Sequence, residues 1–140
     1  MRGKSFDELK VGDAAELQMT VTAEGIEAFA RTSGDSNPIH LDDAVARAAG
    51  LNGRVAHGVL SLGFCSAVLG MQLPGPGTIA VDLSVTFLRP AYIGDTVTCR
   101  VEVMEKNEER KTARMKLLWR NQQGKILCRG SSVVLPPAAG

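Results

Sequence analysis

Apolar and polar residues alternate most regularly in the second half of the chain. Ile79, Val81, Leu83, Val85 and Phe87 take every other position, with Ala80, Asp82, Ser84, Thr86 and Leu88 between them. Successive side chains of a strand point to opposite faces, so this pattern predicts a long strand over 79–88 with one apolar face, the clearest strand signal present. Val97, Cys99, Val101 and Val103 repeat the pattern in a second strand, and Ala113, Met115, Leu117 and Trp119 in a third. The charged or polar stretches 106–111 and 121–124 read as the hairpin turns between them. A last strand runs from about Ile126 to Leu135, where Pro136 and Pro137 finish it. Near the start, Leu17, Met19 and Val21 alternate with Gln18, Thr20 and Thr22 as a half-buried strand.

Between these strands the period changes. Thr22 can cap a short helix over 23–31, with Ile26, Phe29 and Ala30 on one apolar face. Asp42 and Asp43 open a short Ala-rich helix that Gly50 ends, followed by a polar link, Asn52-Gly53-Arg54. From Gly58 to Met71 the chain is apolar on almost every side of a helix, which predicts that this helix is buried. Gly63, Ala67 and Gly70 let another element approach it closely, and Pro74-Gly75-Pro76-Gly77 ends it. A buried helix followed by consecutive hairpin strands predicts an α+β fold, an antiparallel sheet wrapped around that long central helix, in a single domain over 1–140. Such a sheet leaves an edge and a flank uncovered, so at least a homodimer is expected.

Composition narrows the function classes. At 140 residues, with 44% hydrophobic and 22% charged residues, the chain has the profile of a globular protein. A formal net charge of +1, made of scattered charges, gives no basic patch for nucleic acid or a membrane surface. The longest apolar segment, 59–73, is broken by Ser61, Gly63, Ser66, Gly70 and Gln72 and is too short to span a bilayer. The first ten residues lack a secretory apolar core, so a cytoplasmic address is expected. Cys65, Cys99 and Cys128 are an odd number at wide spacings and read as reduced core residues.

The chemistry concentrates in Ser33-Gly34-Asp35-Ser36-Asn37-Pro38-Ile39-His40. Gly34, Asn37 and Pro38 set tight turns, and such a loop can aim a carboxylate, Asp35, and an imidazole, His40, at one water molecule. Taken alone, the same residues also suit a turn cap and a packed polar side chain. The only other histidine, His57, precedes Gly58 at a helix start. There a backbone N–H without a Cβ beside it could hold a developing enolate oxygen, or the glycine could serve helix packing. Two histidines and no Cys or His pair at ligand spacing argue against a zinc site. Prolines at 74 and 76 remove two N–H donors that a phosphate-cradling loop would need.

Asp35-Ser36-Asn37-Pro38-Ile39-His40, the His57-Gly58 pair opening an apolar helix, the Leu73-Pro74-Gly75 turn and Phe87-Leu88-Arg89-Pro90 before Ile93-Gly94-Asp95 resemble the MaoC-like (R)-specific enoyl-CoA hydratases over nearly the whole chain. The resemblance implies the hot-dog fold and hydration of trans-2-enoyl-CoA to (R)-3-hydroxyacyl-CoA, without a cofactor or metal. It implies Asp35 as base on water, His40 as its partner in moving the proton, and Gly58 as donor to the thioester oxygen. His57 and Asn37 would contact substrate, and Arg54 is the preferred phosphate contact among Arg47, Arg54 and Arg89. Counted without gaps from His57-Gly58, Gly63 stands where hydratases of the family carry a serine. Alternatives are a 3-hydroxyacyl-thioester dehydratase, on CoA or acyl carrier protein, a non-catalytic acyl-CoA-binding subunit, and a thioesterase.

Overall fold

The protein was analysed as a computed structural model, which describes residues 2–140. In chain order its elements are β1 (Ala14–Thr20), α1 (Ala23–Ser33), α2 (Pro38–Leu41), α3 (Asp43–Ala48), α4 (Gly58–Met71), β2 (Ile79–Ala80), β3 (Ser84–Phe87), β4 (Thr96–Asn107), β5 (Thr112–Arg120) and β6 (Ile126–Leu135). The strands form one antiparallel sheet in the order β1-β4-β5-β6-β2, with β3 also paired to β6. Its centre is two hairpins, β4-β5 and β5-β6, whose turns fall where the charged and polar stretches predict them.

The alternation in β4 and β5 does what it implies. Val97, Cys99, Val101 and Val103 of one strand and Ala113, Met115, Leu117 and Trp119 of the next are all buried on the same face. The register sets Cys99 opposite Trp119, Val101 opposite Leu117 and Val103 opposite Met115, so bulky and small side chains pack side by side. Helix α4 lies on this face. Its buried residues are Ser61, Phe64, Cys65, Val68 and Leu69. Trp119 is tied to it, since the indole Nε1–H donates to the Ser61 carbonyl at 2.8 Å. A buried indole with its polar atom satisfied thus fixes where α4 sits. No helix among the described residues is long and apolar enough to cross a membrane.

Two expectations are corrected. The long strand predicted over 79–88 is broken into β2 and β3, with Val81, Asp82 and Leu83 outside both. Asp82 breaks the ladder: its Oδ1 accepts the Val133 N–H at 2.7 Å and its carbonyl accepts the Ser132 hydroxyl at 2.7 Å, so side chain and main chain of one residue replace regular pairing. The apolar face of the segment is uncovered, with Ile79 60% and Val81 61% exposed. Helix α4 is not buried all round either. Val59, Gly63, Ser66 and Met71 face outward, the last 68% exposed, because a single sheet covers only one side of a cylinder.

Candidate active site

Helix α1 begins at Thr22, whose Oγ1 accepts the Gly25 N–H at 3.0 Å, and ends at Gly34, whose φ of 83° is a left-handed conformation that glycine adopts without strain. The chain then braces itself turn by turn. The Ser33 hydroxyl donates to the Phe29 carbonyl at 2.7 Å and accepts the Asp35 N–H at 3.1 Å. Asp35 Oδ1 accepts the Asn37 N–H at 3.1 Å, and Asn37 Oδ1 accepts the Ile39 N–H at 3.3 Å. Short polar side chains that close turns two residues onward give this loop a shape without any apolar core of its own. Pro38 opens α2, where its missing N–H costs nothing. Asp42 caps α3 by accepting from Ala44 and Val45 N–H at 2.8 and 3.1 Å.

One turn of α2 turns His40 inward. Its Nδ1 lies 2.8 Å from the Val55 carbonyl, which can only accept, so Nδ1 carries the hydrogen and Nε2 of the neutral ring is left as a lone pair. By the same reasoning His57 donates from Nε2 to the backbone carbonyl of Asp35 at 2.9 Å. The two imidazoles stack with centroids 3.8 Å apart and planes 26° apart, and the Phe29 ring lies 4.7 Å from His57. Arg54 holds the other end of the loop, its Nε donating to the His40 carbonyl at 2.8 Å and its backbone N–H to Asp43 Oδ1 at 2.9 Å. A carboxylate oxygen of Asp35 and a ring nitrogen of each histidine lie within 4.8 Å of one another.

His40 lines a cavity of about 520 Å³ whose wall also includes Gly58, Ser61, Phe87, Leu127 and Cys128. It is mostly apolar, with His40 as its titratable imidazole. Gly58 opens α4, and no side chain caps that end, so the first N–H groups of the helix have no acceptor within it. A Cβ on Gly58 would lie 2.9 Å from Cε1 of Phe87, a half-exposed ring that would have to shift to admit it. Burial pushes the thiol of Cys128 up to about 11, which keeps it protonated beside this cavity.

A model of the MaoC like domain family matches residues 9–120. The chain belongs to that family. It is 41% identical to the (R)-specific enoyl-CoA hydratase of Rhodospirillum rubrum over 96% of this chain and 93% of that one. It is 37% identical to the (R)-specific enoyl-CoA hydratase of Aeromonas caviae over 95% of this chain and 99% of that protein. Among solved structures, the unliganded R-hydratase PhaJ1 of Pseudomonas aeruginosa superposes with a TM-score of 0.92 at 36% identity, covering 99% of this chain and 88% of that one. The sheet-and-helix architecture described above is therefore the hot-dog fold of these hydratases.

Within this MaoC-like chain the predicted residues fall into three groups. His40 and Gly58 line the cavity, and a carboxylate oxygen of Asp35 lies within 4.8 Å of a His40 ring nitrogen. Asn37 and His57, expected at the substrate, are engaged elsewhere: Asn37 caps α2, and His57 is 1% exposed behind His40. Arg54 is turned inward onto the His40 carbonyl and lies 3.6 Å from Glu27, so its guanidinium is a brace; Arg89 is the arginine that lines the cavity. Arg54 is close to His57 in sequence, but the link between them bends back along α2. Gly63 sits on the exposed side of α4, where a Cβ would meet nothing within 4 Å, whereas Ser61 is the serine at the cavity. Two contributors escaped the sequence. The Val55 carbonyl orients His40 but carries no residue-type signal, and Phe87, read as an apolar strand position and as part of the motif before Pro90, gives no sign that its ring meets Gly58.

Proposed function

We propose that this MaoC-like chain adds water across the double bond of a trans-2-enoyl-CoA to give (R)-3-hydroxyacyl-CoA, and catalyses the reverse elimination at the same site. The observation that carries the reading is the Asp35 carboxylate beside a His40 ring whose Nδ1 is committed to Val55, at a mostly apolar cavity that Gly58 also lines. Water held between Asp35 and the bare Nε2 of His40 loses a proton to the pair as its oxygen attacks C3. The pair returns a proton to C2, and the negative charge that develops on the thioester oxygen meets the uncapped N–H at the start of α4. The balance is one water added, with no redox step. Because the water and the proton are handled by one loop, addition is syn. The names of the two relatives above support the CoA substrate and the (R) outcome. Arg89 lines the cavity, with its Nη1 donating to the Ile126 carbonyl at 2.8 Å, and its remaining guanidinium donors would meet a phosphate of the carrier.

Two copies complete the fold in this reading. The exposed Ile79, Val81 and Leu83 and the outward strip of α4 are apolar surface that a second chain would cover, giving a homodimer. Three buried, free cysteines and a CoA thioester substrate go with a cytoplasmic address.

Incubation with crotonyl-CoA, with the product coupled to enantiomer-specific dehydrogenases and free thiol followed in parallel, tests the reading. Loss of the enoyl absorbance with oxidation only by the (R)-specific enzyme is the expected result. Thiol release without hydration would make the protein a thioesterase, and product oxidised only by the (S)-specific enzyme would overturn the assigned facial geometry. A species of monomer size that is fully active at assay concentration would overturn the dimer.

A further inference from the structure

We propose that His57 is a positioning residue that couples the two reacting side chains, holding the ring of His40 by stacking and the backbone of Asp35 by a hydrogen bond. The inference rests on the assignment of Asp35 and His40 above. His57 is 1% exposed and is not part of the cavity wall. Its Nε2–H donates to the Asp35 carbonyl at 2.9 Å, its ring lies 3.8 Å from that of His40, and Phe29 of α1 packs at 4.7 Å. His57 also precedes α4, so one side chain connects the Asp35 loop, the His40 ring and the helix start that offers the Gly58 N–H.

The other ring nitrogen explains why packing alone does not account for a histidine here. Nδ1 of His57 is buried without a hydrogen-bond partner, which costs free energy that an apolar ring would avoid. Phenylalanine would stack on His40 but has nothing to donate to Asp35. Glutamine could donate to Asp35 but has no ring to stack. Among side chains of this size, histidine does both, and the unpaired Nδ1 is what remains once both are done. His40 is already held in one direction by Val55; the stack fixes the plane of its ring, and the hydrogen bond fixes the peptide from which the Asp35 side chain springs.

The test separates the two links. His57→Phe keeps the ring and loses the donor, whereas His57→Gln keeps the donor and loses the ring. Each is expected to lower kcat about tenfold or more with KM for crotonyl-CoA within roughly twofold, since a small misplacement of reacting groups is costly while the cavity is untouched. A magnetic-resonance readout is independent of activity. The chain has two histidines, so labelled ring nitrogens resolve both, and in His57→Gln the His40 ring signals are expected to broaden as the ring loses its fixed plane, while the Nδ1–H tautomer set by Val55 stays. In His57→Phe the Ser36 amide, the far end of the Asp35 peptide group, is expected to exchange faster. A folded variant of either kind that turns over at the wild-type rate overturns the coupling, as do His40 ring signals in His57→Gln that stay as sharp as in the unaltered protein. If His57→Phe does not fold, His57→Gln carries both readouts. Failure of the unaltered protein to hydrate crotonyl-CoA would overturn the proposed function instead, and the ring and amide measurements would still decide this inference.

Discussion

The paired strands β4 and β5 and the loop from Ser33 to His40 spend their hydrogen-bonding and burial in opposite ways. In the strands, inward side chains such as Val101, Leu117 and Trp119 are fully buried and the backbone is paired by neighbours on both sides. In the loop, Asp35 and Asn37 are exposed and the hydrogen bonds are local, each closing a turn of a few residues. Stability is therefore held mostly by the sheet and α4, while the loop, on which the proposed reacting groups sit, contributes little to it. His40 stands at the boundary, on the loop by sequence but buried against Val55 and His57.

The largest effect should come from the sheet. Trp119→Ala removes the largest fully buried side chain and the indole donor to Ser61, and is expected to cost about 3–5 kcal/mol of unfolding free energy. Denaturant unfolding measures it, and a loss under about 1 kcal/mol would mean that α4 is not anchored through this contact. Next come Asp35→Asn and His40→Ala. Each should lower kcat by about two orders of magnitude or more; Asp35→Asn should leave the unfolding midpoint close to that of the unaltered protein, whereas His40→Ala, which empties a buried ring position and frees the Val55 carbonyl, should also lower it. Near-normal hydration by either folded variant would break the contrast, since the loop would then hold no reacting group. The smallest effect is reserved for Asn37→Ala. Loss of one helix cap is expected to cost about 1 kcal/mol, with KM unchanged, because the side chain oxygen is used on Ile39 N–H. A rise in KM without loss of stability would restore Asn37 to a role at the substrate.

Much of this molecule is legible in one dimension. The period of two in β4 and β5 and the continuous apolar run of α4 reflect local geometry that neighbouring residues impose on each other, and so does the turn chemistry of Ser33, Asp35 and Asn37. The motif around Asp35 and His40 is legible for the same reason: both residues belong to one short loop. Tertiary structure decided the rest. Alternation over 79–88 says that one face is apolar, but not that this face lies outside the sheet's own core, nor that Asp82 would break the strand by bonding to residues fifty positions later. The roles of Arg54 and His57 depend on the path of 41–57, which returns the chain to α2 and sets a guanidinium against the His40 carbonyl and one imidazole under another. Residue type announces that a side chain can donate, accept or stack. Which partner it finds is a matter of distances across the fold, and the Val55 carbonyl, identical in every residue of the chain, becomes part of a site only because His40 lies 2.8 Å away.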